Sequence, residues 1–491
     1  MDTAINLPWA LRLATNHSFQ LSSRYNVRKQ GKLNMKAITA WLLALLATGN
    51  VFAQESLRPD VPVAIVGGML LDGYEAEPIH HSVVVFENGR ITAVGSKNDT
   101  EIPDNAVIID AGGKTVMPGL IDAHMHIDLT GHGSYERYYE FMNGMERIDE
   151  FMPIAAKQMM RAGVTSGLDL GAPFQILEFR ERIRRGEIPG PRLTISGPWI
   201  TRLDYDTVPD EYEIIIDSPR QAAQRTRELI ERGSDVIKVW VGLTAEDYRA
   251  VVDEAHKSGV KVHAHLYDPD AIRMAIDADV DVFQHVGSAR NPPYDEALLS
   301  EIAHKNIPIV QTISHRIWVY PATVAFPERL YDPVYKKDMP ADIYEEFISS
   351  FENFHRLSYM QDIGQETRNS KKSASQFIDA GAYMGVGTDA ASPLNMHTEA
   401  MWREMSALVE SGMTPIQVIS AATKTNAEIL GQFDALGTIE PGKLADIIII
   451  DGNPLRNIEV LDYVDIVIKD GGVWYAERAA YGPVTDIGHA F

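Results

Sequence analysis

The sequence predicts an α/β protein in which a TIM-like (β/α)8 barrel is joined to a small β-sandwich built from both chain ends. Through the middle of the chain, short apolar runs alternate eight times with amphipathic helices, which is the pattern of a parallel barrel. At both ends, short strands are separated by Gly, Pro and Asn turns. A chain of 491 residues is also long enough for a large barrel and an accessory domain.

The barrel prediction rests on eight strand–helix units in order. The strands are predicted at 119–126, 163–170, 191–197, 235–240, 260–265, 280–286, 307–312 and 383–389. The helices are predicted at 149–161, 176–185, 219–233, 245–258, 268–278, 294–305, 341–380, 398–411 and 415–430. A doubly wound sheet is the alternative, but that fold places a glycine-rich phosphate turn after its first strand, and this sequence has none there. The long segment 313–382 is predicted to be a helical insertion that could form a lid.

The strands of the predicted sandwich come from both ends of the chain. They fall within 61–72, 82–95 and 106–118 near one end, and within 443–450, 463–469 and 473–475 near the other. Asn88-Gly89 between two apolar runs indicates a hairpin turn. The predicted domains are a leader at 1–53, the two sandwich parts at 54–118 and 436–491, and the barrel at 119–435.

The leader has the features of an export sequence. From Met35 a basic residue precedes an apolar run over 37–47, and a small-residue cleavage site ends at Ala53. We therefore predict a signal peptide at 35–53 and an exported protein, periplasmic or secreted. The apolar run is shorter than the roughly 20 residues of a membrane span, so no stable membrane anchor is expected. Residues 1–34 show neither a helical nor a strand period, which suggests that they result from the choice of a start codon upstream of the true one.

Composition narrows the classes of partner and of chemistry. The net charge is -23, with no long basic block, which argues against nucleic acid and anionic membranes as partners. A small-molecule substrate is the expected partner, and a homo-oligomer is compatible with the sequence. The chain has no cysteine, so thiol catalysis, disulfides and thiolate metal sites are excluded. Any metal must be held by histidine and oxygen ligands.

Chemically active side chains fall at the C-terminal ends of the predicted strands, where a parallel barrel carries its working residues. His124 and His126 end the first strand, and their spacing puts both imidazoles on one face. Each such residue alone has a structural explanation, such as a solvated strand end or a helix cap, but five strand ends together favour a metal site. The remaining strand-end groups are Lys238, His263, His265, His285 and Asp389.

These motifs resemble those of the amidohydrolase superfamily. The resemblance spans residues 60–475 and is closest to the imidazolonepropionase-like and Xaa-Pro dipeptidase-like branch, which carries a fourth-strand lysine. It is highly specific for the superfamily and much less so for the substrate. The matching segments are Pro-Gly-Leu-Ile-Asp-Ala-His-Met-His at 118–126, Ile-Lys at 237–238, Val-His-Ala-His at 262–265, Gln-His at 284–285, Gly-Thr-Asp at 387–389, and the tail at 421–423 and 436–446.

The resemblance implies a binuclear metal centre, usually of zinc, whose ions share a carbamate formed on the fourth-strand lysine. One ion would be held by the first-strand histidines with the eighth-strand aspartate, and the other by the fifth- and sixth-strand histidines. Carboxylation turns the lysine cation into an anion, which suits two neighbouring dications. The implied ligands are His124, His126, Lys238, His265, His285 and Asp389.

Two histidines compete for the fifth-strand position. His263 and His265 lie on the same strand face, so periodicity does not separate them. The family pattern, in which Pro-acid-Ala-Ile follows the ligand, aligns with His265 and the segment 269–272. We therefore assign His265 as the ligand, with His263 deeper as a partner that orients the ligands.

The implied reaction is hydrolysis of an amide or related C–N bond of a small molecule, with a dipeptide or an N-acyl amino acid as the leading substrate class. Asp389 would take a proton from a metal-bound water and pass it to the leaving amine. Candidate substrate-binding residues are Tyr267, His397 and Arg316, the last for a substrate carboxylate. The alternatives are a cyclic-amide hydrolase or deaminase, a lactonase on the same centre, and a non-catalytic binding protein.

Overall fold

A computed structural model describes residues 61–142, 146–205, 208–287 and 293–476 of the chain. The predicted leader, with its signal peptide, lies outside these residues. In the described part of the chain, no helix is both long and apolar enough to cross a membrane.

The strands and helices follow one another in the alternation that the sequence predicts. The strands are β1 (Val63–Val66), β2 (Met69–Leu70), β3 (Ser82–Glu87), β4 (Arg90–Ser96), β5 (Val107–Asp110), β6 (Thr115–Pro118), β7 (Leu120–Met125), β8 (Val164–Asp169), β9 (Arg192–Ile195), β10 (Trp199–Thr201), β11 (Glu213–Ile215), β12 (Ile237–Val239), β13 (Val262–His265), β14 (Val282–Gln284), β15 (Ile309–Val310), β16 (Met384–Gly385), β17 (Ile447–Ile450), β18 (Val464–Lys469) and β19 (Gly472–Ala476). The α-helices are α1 (Tyr135–Phe141), α2 (Ile148–Arg161), α3 (Gln175–Arg184), α4 (Pro219–Arg232), α5 (Ala245–His256), α6 (Pro269–Asp277), α7 (Glu296–His304), α8 (Tyr320–Ala325), α9 (Ala341–Ser349), α10 (Ile363–Asp379), α11 (Ala400–Ser411), α12 (Pro415–Ser420) and α13 (Asn426–Ile429).

Both chain ends build the small sandwich, as predicted. One sheet has the order β4-β3-β1-β5, and the other joins C-terminal and N-terminal strands in the order β19-β18-β17-β6-β2. The predicted strand at 61–72 is two strands, one in each sheet, because Gly67 turns the chain with a positive φ of 92°. Between the sheets lies an apolar core that includes Ile65, Phe86 and Ile447.

The sandwich passes directly into the barrel at Gly119. Its N–H donates to the carbonyl of Asp446 at 2.9 Å, and the next residue, Leu120, bonds to Gly163 at 2.9 Å as the first barrel strand begins. A Cβ atom at position 119 would overlap the side chain of Thr165 in the neighbouring strand. The glycine therefore lets the first two barrel strands lie close together while its own N–H remains hydrogen-bonded to the sandwich at Asp446.

We expect Gly119→Ala to destabilise the fold by about 2 kcal/mol, because it forces an extra methyl group into a packed strand pair. The measurement is the urea midpoint of unfolding. Gly119→Ala combined with Thr165→Ala should recover part of the loss relative to the two single variants. Equal midpoints for Gly119→Ala and the wild type would contradict this packing argument.

The eight predicted barrel strands form a closed parallel ring. Strands β7, β8 and β9 pair in one sheet, and β12 to β16 pair in order in another. The two sheets meet where Asp235 N–H donates to Ile195 O at 2.8 Å, and where Ala123 N–H donates to Val386 O at 3.0 Å. A parallel bridge from Met125 to Ala390 continues the second junction. The C-terminal ends of all eight strands therefore face one space.

Two features differ from the predicted barrel. The short strands β10 and β11 extend the seven-stranded sheet beside β12, and their three residues each are too few to show a period in the sequence. The predicted helix at 341–380 is wrong as a single helix. It is broken into α9, short 3-10 turns and α10, because Asn353 and Leu357 leave the helical backbone region, with a φ of -121° and a ψ of 136° respectively.

Candidate active site

All six predicted metal ligands line one cavity of about 800 Å³ at the C-terminal ends of the barrel strands. His124 Nε2 lies 3.6 Å from Asp389 Oδ1, and His126 Nε2 lies 3.2 Å from the same oxygen. The ring of His285 is 4.3 Å from that of His124 and 4.4 Å from that of His265, centroid to centroid. Strands one, five, six and eight thus bring four imidazoles and a carboxylate together, as the motif spacing predicts.

Three of the histidines are oriented by hydrogen bonds on their far ring nitrogen. The Nδ1 atoms of His124 and His126 lie 2.7 Å from Gln284 Oε1 and 3.2 Å from the carbonyl of Gly171. His285 Nδ1 lies 2.8 Å from Thr312 Oγ1. Because a carbonyl oxygen only accepts, Nδ1 carries a proton in the first two rings, which leaves Nε2 as the nitrogen that faces the cavity. This is the arrangement of histidines that bind a metal.

Burial sets the charge of these histidines. It holds the pKa of His124, His265 and His285 well below the ordinary value, so each is a neutral imidazole at pH 7. Burial also acts to lower the pKa of His126, but the hydrogen bond to Asp389 and the charges of Asp389, Asp169 and Asp128 together outweigh it and raise the value to about 9. The neutral rings have the protonation state that metal binding requires.

Lys238 lines the cavity and is only 3% exposed. Its Nζ has no hydrogen-bond partner within the described residues. Burial lowers the pKa of this amine to about 7, although the charge of Asp389 acts in the opposite direction. An amine so buried and unpartnered is unusual, because a buried polar group without a partner is costly.

Asp389 is held by the first and eighth strands. Its N–H donates to His124 O at 2.8 Å, and the preceding Thr388 donates its hydroxyl to Asp122 Oδ2 at 2.6 Å. The backbone of Asp389 has a φ of 54°, a region that Asp and Asn tolerate better than most residues. Burial acts to raise the pKa of Asp389, but hydrogen bonding by His126 and the nearby histidines bring it below its ordinary value. The carboxylate is therefore ionised at neutral pH.

The two fifth-strand histidines occupy different positions. His265 lines the cavity, whereas His263 is fully buried beneath it. The side-chain amide of Gln284 lies between His263 and His124, with Nε2 3.1 Å from His263 Nδ1 and Oε1 2.7 Å from His124 Nδ1. His263 thus orients a cavity histidine through Gln284.

The three predicted substrate-binding residues have two different placements. Tyr267 and Arg316 line the cavity, and the guanidinium of Arg316 lies 3.4 Å from the Glu366 carboxylate behind it. His397 is buried and does not line the cavity. Its Nε2 lies 3.1 Å from the backbone carbonyl of His126, so it supports the first-strand loop.

Several residues of the cavity were not predicted. The insertion covers one side with Tyr320, Leu357 and Tyr359, and a group of rings covers the side beside strands three and four. Trp240 follows Lys238 by two residues, so strand alternation places it on the same face and could have identified it. The ring group comprises Trp199, Tyr205, Tyr212 and Trp240.

Two buried carboxylates behind the cavity were also missed. Asp169 ends the second strand and accepts hydrogen bonds from the N–H groups of Ile127 and Gly171, at 2.8 and 3.1 Å. Glu404 accepts from the N–H groups of Ile313 and Ser314, at 2.8 and 2.7 Å. Both fix loops at strand ends. Asp169 could have been predicted, because it lies at the C-terminal end of a barrel strand, where working residues are expected. Glu404 lies on a helix, so its position in the sequence did not indicate a role at the site.

A closed parallel barrel with four histidines, a buried lysine and an aspartate at its strand ends defines a metal-binding barrel enzyme. The chain belongs to the amidohydrolase family, whose sequence profile matches residues 115–473. It is thus an amidohydrolase-type hydrolase that acts on carbon–nitrogen bonds.

Comparison with known proteins agrees with the imidazolonepropionase-like and Xaa-Pro dipeptidase-like branch. Ochratoxinase from Aspergillus niger is 24% identical over 470 residues, covering 85% of this chain and 86% of the relative. Imidazolonepropionase from Geobacillus kaustophilus is 24% identical over 446 residues, covering 82% and 92%. The crystal structure of a Xaa-Pro dipeptidase with bound methionine matches with a TM-score of 0.67 and 24% identity, covering 85% of this chain and all of that one. At this identity the structural likeness establishes the fold.

Proposed function

We propose that this protein hydrolyses the amide bond of a small molecule, an N-acyl amino acid or a dipeptide, with two zinc ions bound in the cavity. The observation that carries the proposal is the buried Nζ of Lys238, which faces the cavity histidines and Asp389 without a hydrogen-bond partner among the described residues. A carbamate on this nitrogen would give the amine a chemical reason for its position.

The donor set fits a pair of divalent ions. His124, His126 and Asp389 would hold one ion, and His265 and His285 the other, with carboxylated Lys238 between them. All donors are nitrogen or oxygen, as zinc accepts, and the Nε2 atoms of His124 and His126 face the cavity. His126 would release its second proton when it binds an ion. When bound, such ions lower the pKa of a water molecule toward neutrality and polarise a carbonyl.

Asp389 is the proposed general base. Its carboxylate is ionised at neutral pH and is fixed by its backbone bond to His124. It would accept a proton from the attacking water and pass it to the leaving nitrogen, so that the C–O bond forms as the C–N bond breaks. Arg316 supplies a buried cation in the same cavity for a substrate carboxylate.

We expect the purified protein to contain about two zinc ions per chain and to lose hydrolysis when they are removed with a chelator, because water activation would then be absent. Metal analysis and a screen of N-acyl amino acids, dipeptides, lactams and lactones check this. Restoration of activity by added zinc is the control. A metal-free protein with full amidase activity would refute the proposal, and activity on lactams alone would favour the cyclic-amide alternative.

A further inference from the structure

Arg316 is a buried cation whose position in the cavity is set by other protein groups. It follows strand β15 and lies in a π-helical turn, His315–Val319, and both His315 and Arg316 line the cavity. Arg316 is only 7% exposed, so bulk water does little to direct its donors. Its Nη1 donates to His315 Nε2, which is the first of three contacts that hold it.

Helix α10 of the insertion supplies the other two contacts. Arg316 Nε forms an ion pair with Glu366 Oε2 at 3.4 Å. The hydroxyl oxygen of Thr367, the next residue, lies 2.8 Å from the backbone carbonyl of Arg316. Thr367 is 51 residues further along the chain than Arg316. The insertion therefore returns to the cavity and contacts both the backbone and the side chain of Arg316.

The ion pair is buried on both sides, because Glu366 is as inaccessible as its partner. Burial acts to lower the pKa of the Arg316 guanidinium, but four neighbours together bring it above the ordinary value: Tyr267, Tyr320, Glu366 and Tyr359. Arg316 is thus a cation at neutral pH. A buried charge that loses its partner is costly, so each member of the pair restricts where the other can lie.

The contact with Glu366 determines which edge of the guanidinium is available. In the planar guanidinium, the edge formed by Nη1 and Nη2 lies opposite Nε, so it points away from Glu366. That edge can offer two parallel N–H bonds to the two oxygens of one carboxylate. Without the contacts to α10, the guanidinium could turn within a cavity of about 800 Å³ and bond water instead.

We propose, resting on the amidase function above, that Glu366 and Thr367 are positioning residues that act through Arg316. They hold the Nη1–Nη2 edge of its guanidinium ready for a substrate carboxylate. Helix α10 of the insertion thereby sets the preference for substrates with a free carboxylate. Neither Glu366 nor Thr367 lines the cavity, so both act without touching the substrate.

The test uses two compounds that differ only in the carboxylate, N-acetyl-leucine and N-acetyl-leucinamide. We define the acid–amide ratio as kcat/KM for the first divided by kcat/KM for the second, both measured as acetate release by the zinc-loaded enzyme. Thr367→Val, which changes no charge, should lower this ratio at least about threefold. Glu366→Gln should lower it about tenfold, which corresponds to about 1.4 kcal/mol. The loss should appear as a higher KM for the acid, with kcat for the amide within about twofold of the wild type.

Glu366→Gln also has an effect of the opposite sign. Removing the Glu366 carboxylate removes its repulsion of the substrate carboxylate. We expect orientation to dominate, because a guanidinium that turns away loses both N–H bonds to the substrate. A higher acid–amide ratio in Glu366→Gln, or an unchanged ratio in Thr367→Val, would overturn the inference.

A double-mutant cycle shows whether the effect passes through Arg316. In an Arg316→Met background, Glu366→Gln and Thr367→Val should each change the acid–amide ratio less than about twofold. The same loss with and without Arg316 would contradict a role through this residue. A merely structural role would lower the activity on both compounds equally and leave the ratio unchanged. Glu345→Gln is the matched control, because Glu345 is an exposed residue of α9 in the same insertion and does not line the cavity.

A binding measurement separates this inference from the amidase function. N-acetyl-leucine should raise the melting temperature of the zinc-loaded wild type more than N-acetyl-leucinamide does, and the difference should shrink in Glu366→Gln. Thr367→Val carries the same test if Glu366→Gln does not fold. If this pattern holds while neither compound is hydrolysed, the positioning role stands and the amidase function fails. Equal stabilisation of the wild type by both compounds would overturn the positioning role, and acetate release would still test the amidase function.

Discussion

Asp389→Asn is expected to lower kcat by roughly 10³-fold while the fold persists, because the amide has no basic oxygen to accept the proton from water. Asparagine is the informative replacement. It has nearly the same shape, and it tolerates the φ of 54° that Asp389 adopts, whereas most other residues would strain the backbone there. The measurement is kcat with an N-acyl amino acid, alongside the zinc content and the melting temperature of the variant.

The control for Asp389→Asn is Asp270→Asn, which also removes one carboxylate but lies exposed in the first turn of α6. We expect this control to retain wild-type kcat and zinc. The proposed base is wrong if Asp389→Asn retains zinc and keeps kcat within about threefold of the wild type. If zinc is lost together with activity, added zinc in excess should restore metal content without restoring kcat.

The barrel and the positions of its strand-end groups could be predicted because each depends on short-range patterns. His124 and His126 are adjacent on one strand face, and the end of a parallel strand fixes where they point. The same rule places Lys238, His285 and Asp389 at one end of the barrel, and they do line one cavity. The Asn88-Gly89 turn was equally predictable, because Asn and Gly are the residues that favour the positive φ angles of a tight hairpin, and both adopt them here.

The parts that could not be predicted depend on contacts between distant segments. Nothing near His397 in the sequence indicates that its ring bonds the backbone of His126, 271 residues away. Gln284 stood in the sequence only as the neighbour of His285, yet its amide orients His124 from across the barrel. Trp199 and Tyr205 belong to an irregular segment around β10, where no period guides a prediction. Orientation and substrate shape therefore required the structure.

Replacement of Lys238 by methionine is expected to remove at least one zinc ion per chain and to lower kcat/KM by roughly 10³-fold or more. Methionine has a similar length and an apolar side chain that suits the buried site, so the fold should tolerate the replacement. Zinc content, melting temperature and kcat/KM are the measurements. Lys257→Met is the control, because this lysine has a side chain that is 67% exposed and does not line the cavity. A Lys238→Met protein that binds two zinc ions would contradict a bridging role.

Carboxylation of Lys238 also predicts a dependence on dissolved carbon dioxide. Only a neutral amine attacks CO2, forming the N–C bond and releasing one proton, and burial lowers the pKa of this amine to about 7. An ordinary lysine, with a pKa near 10.4, would be almost wholly charged at that pH. Zinc reconstitution of the metal-free enzyme should therefore be faster with bicarbonate than in CO2-depleted buffer. Under native conditions, the wild type should carry the added mass of one CO2 near Lys238. Lys238→Met should show neither this added mass nor the faster reconstitution with bicarbonate. Reconstitution at the same rate in both buffers would mean that the ions are held by the histidines and Asp389 without a bridge.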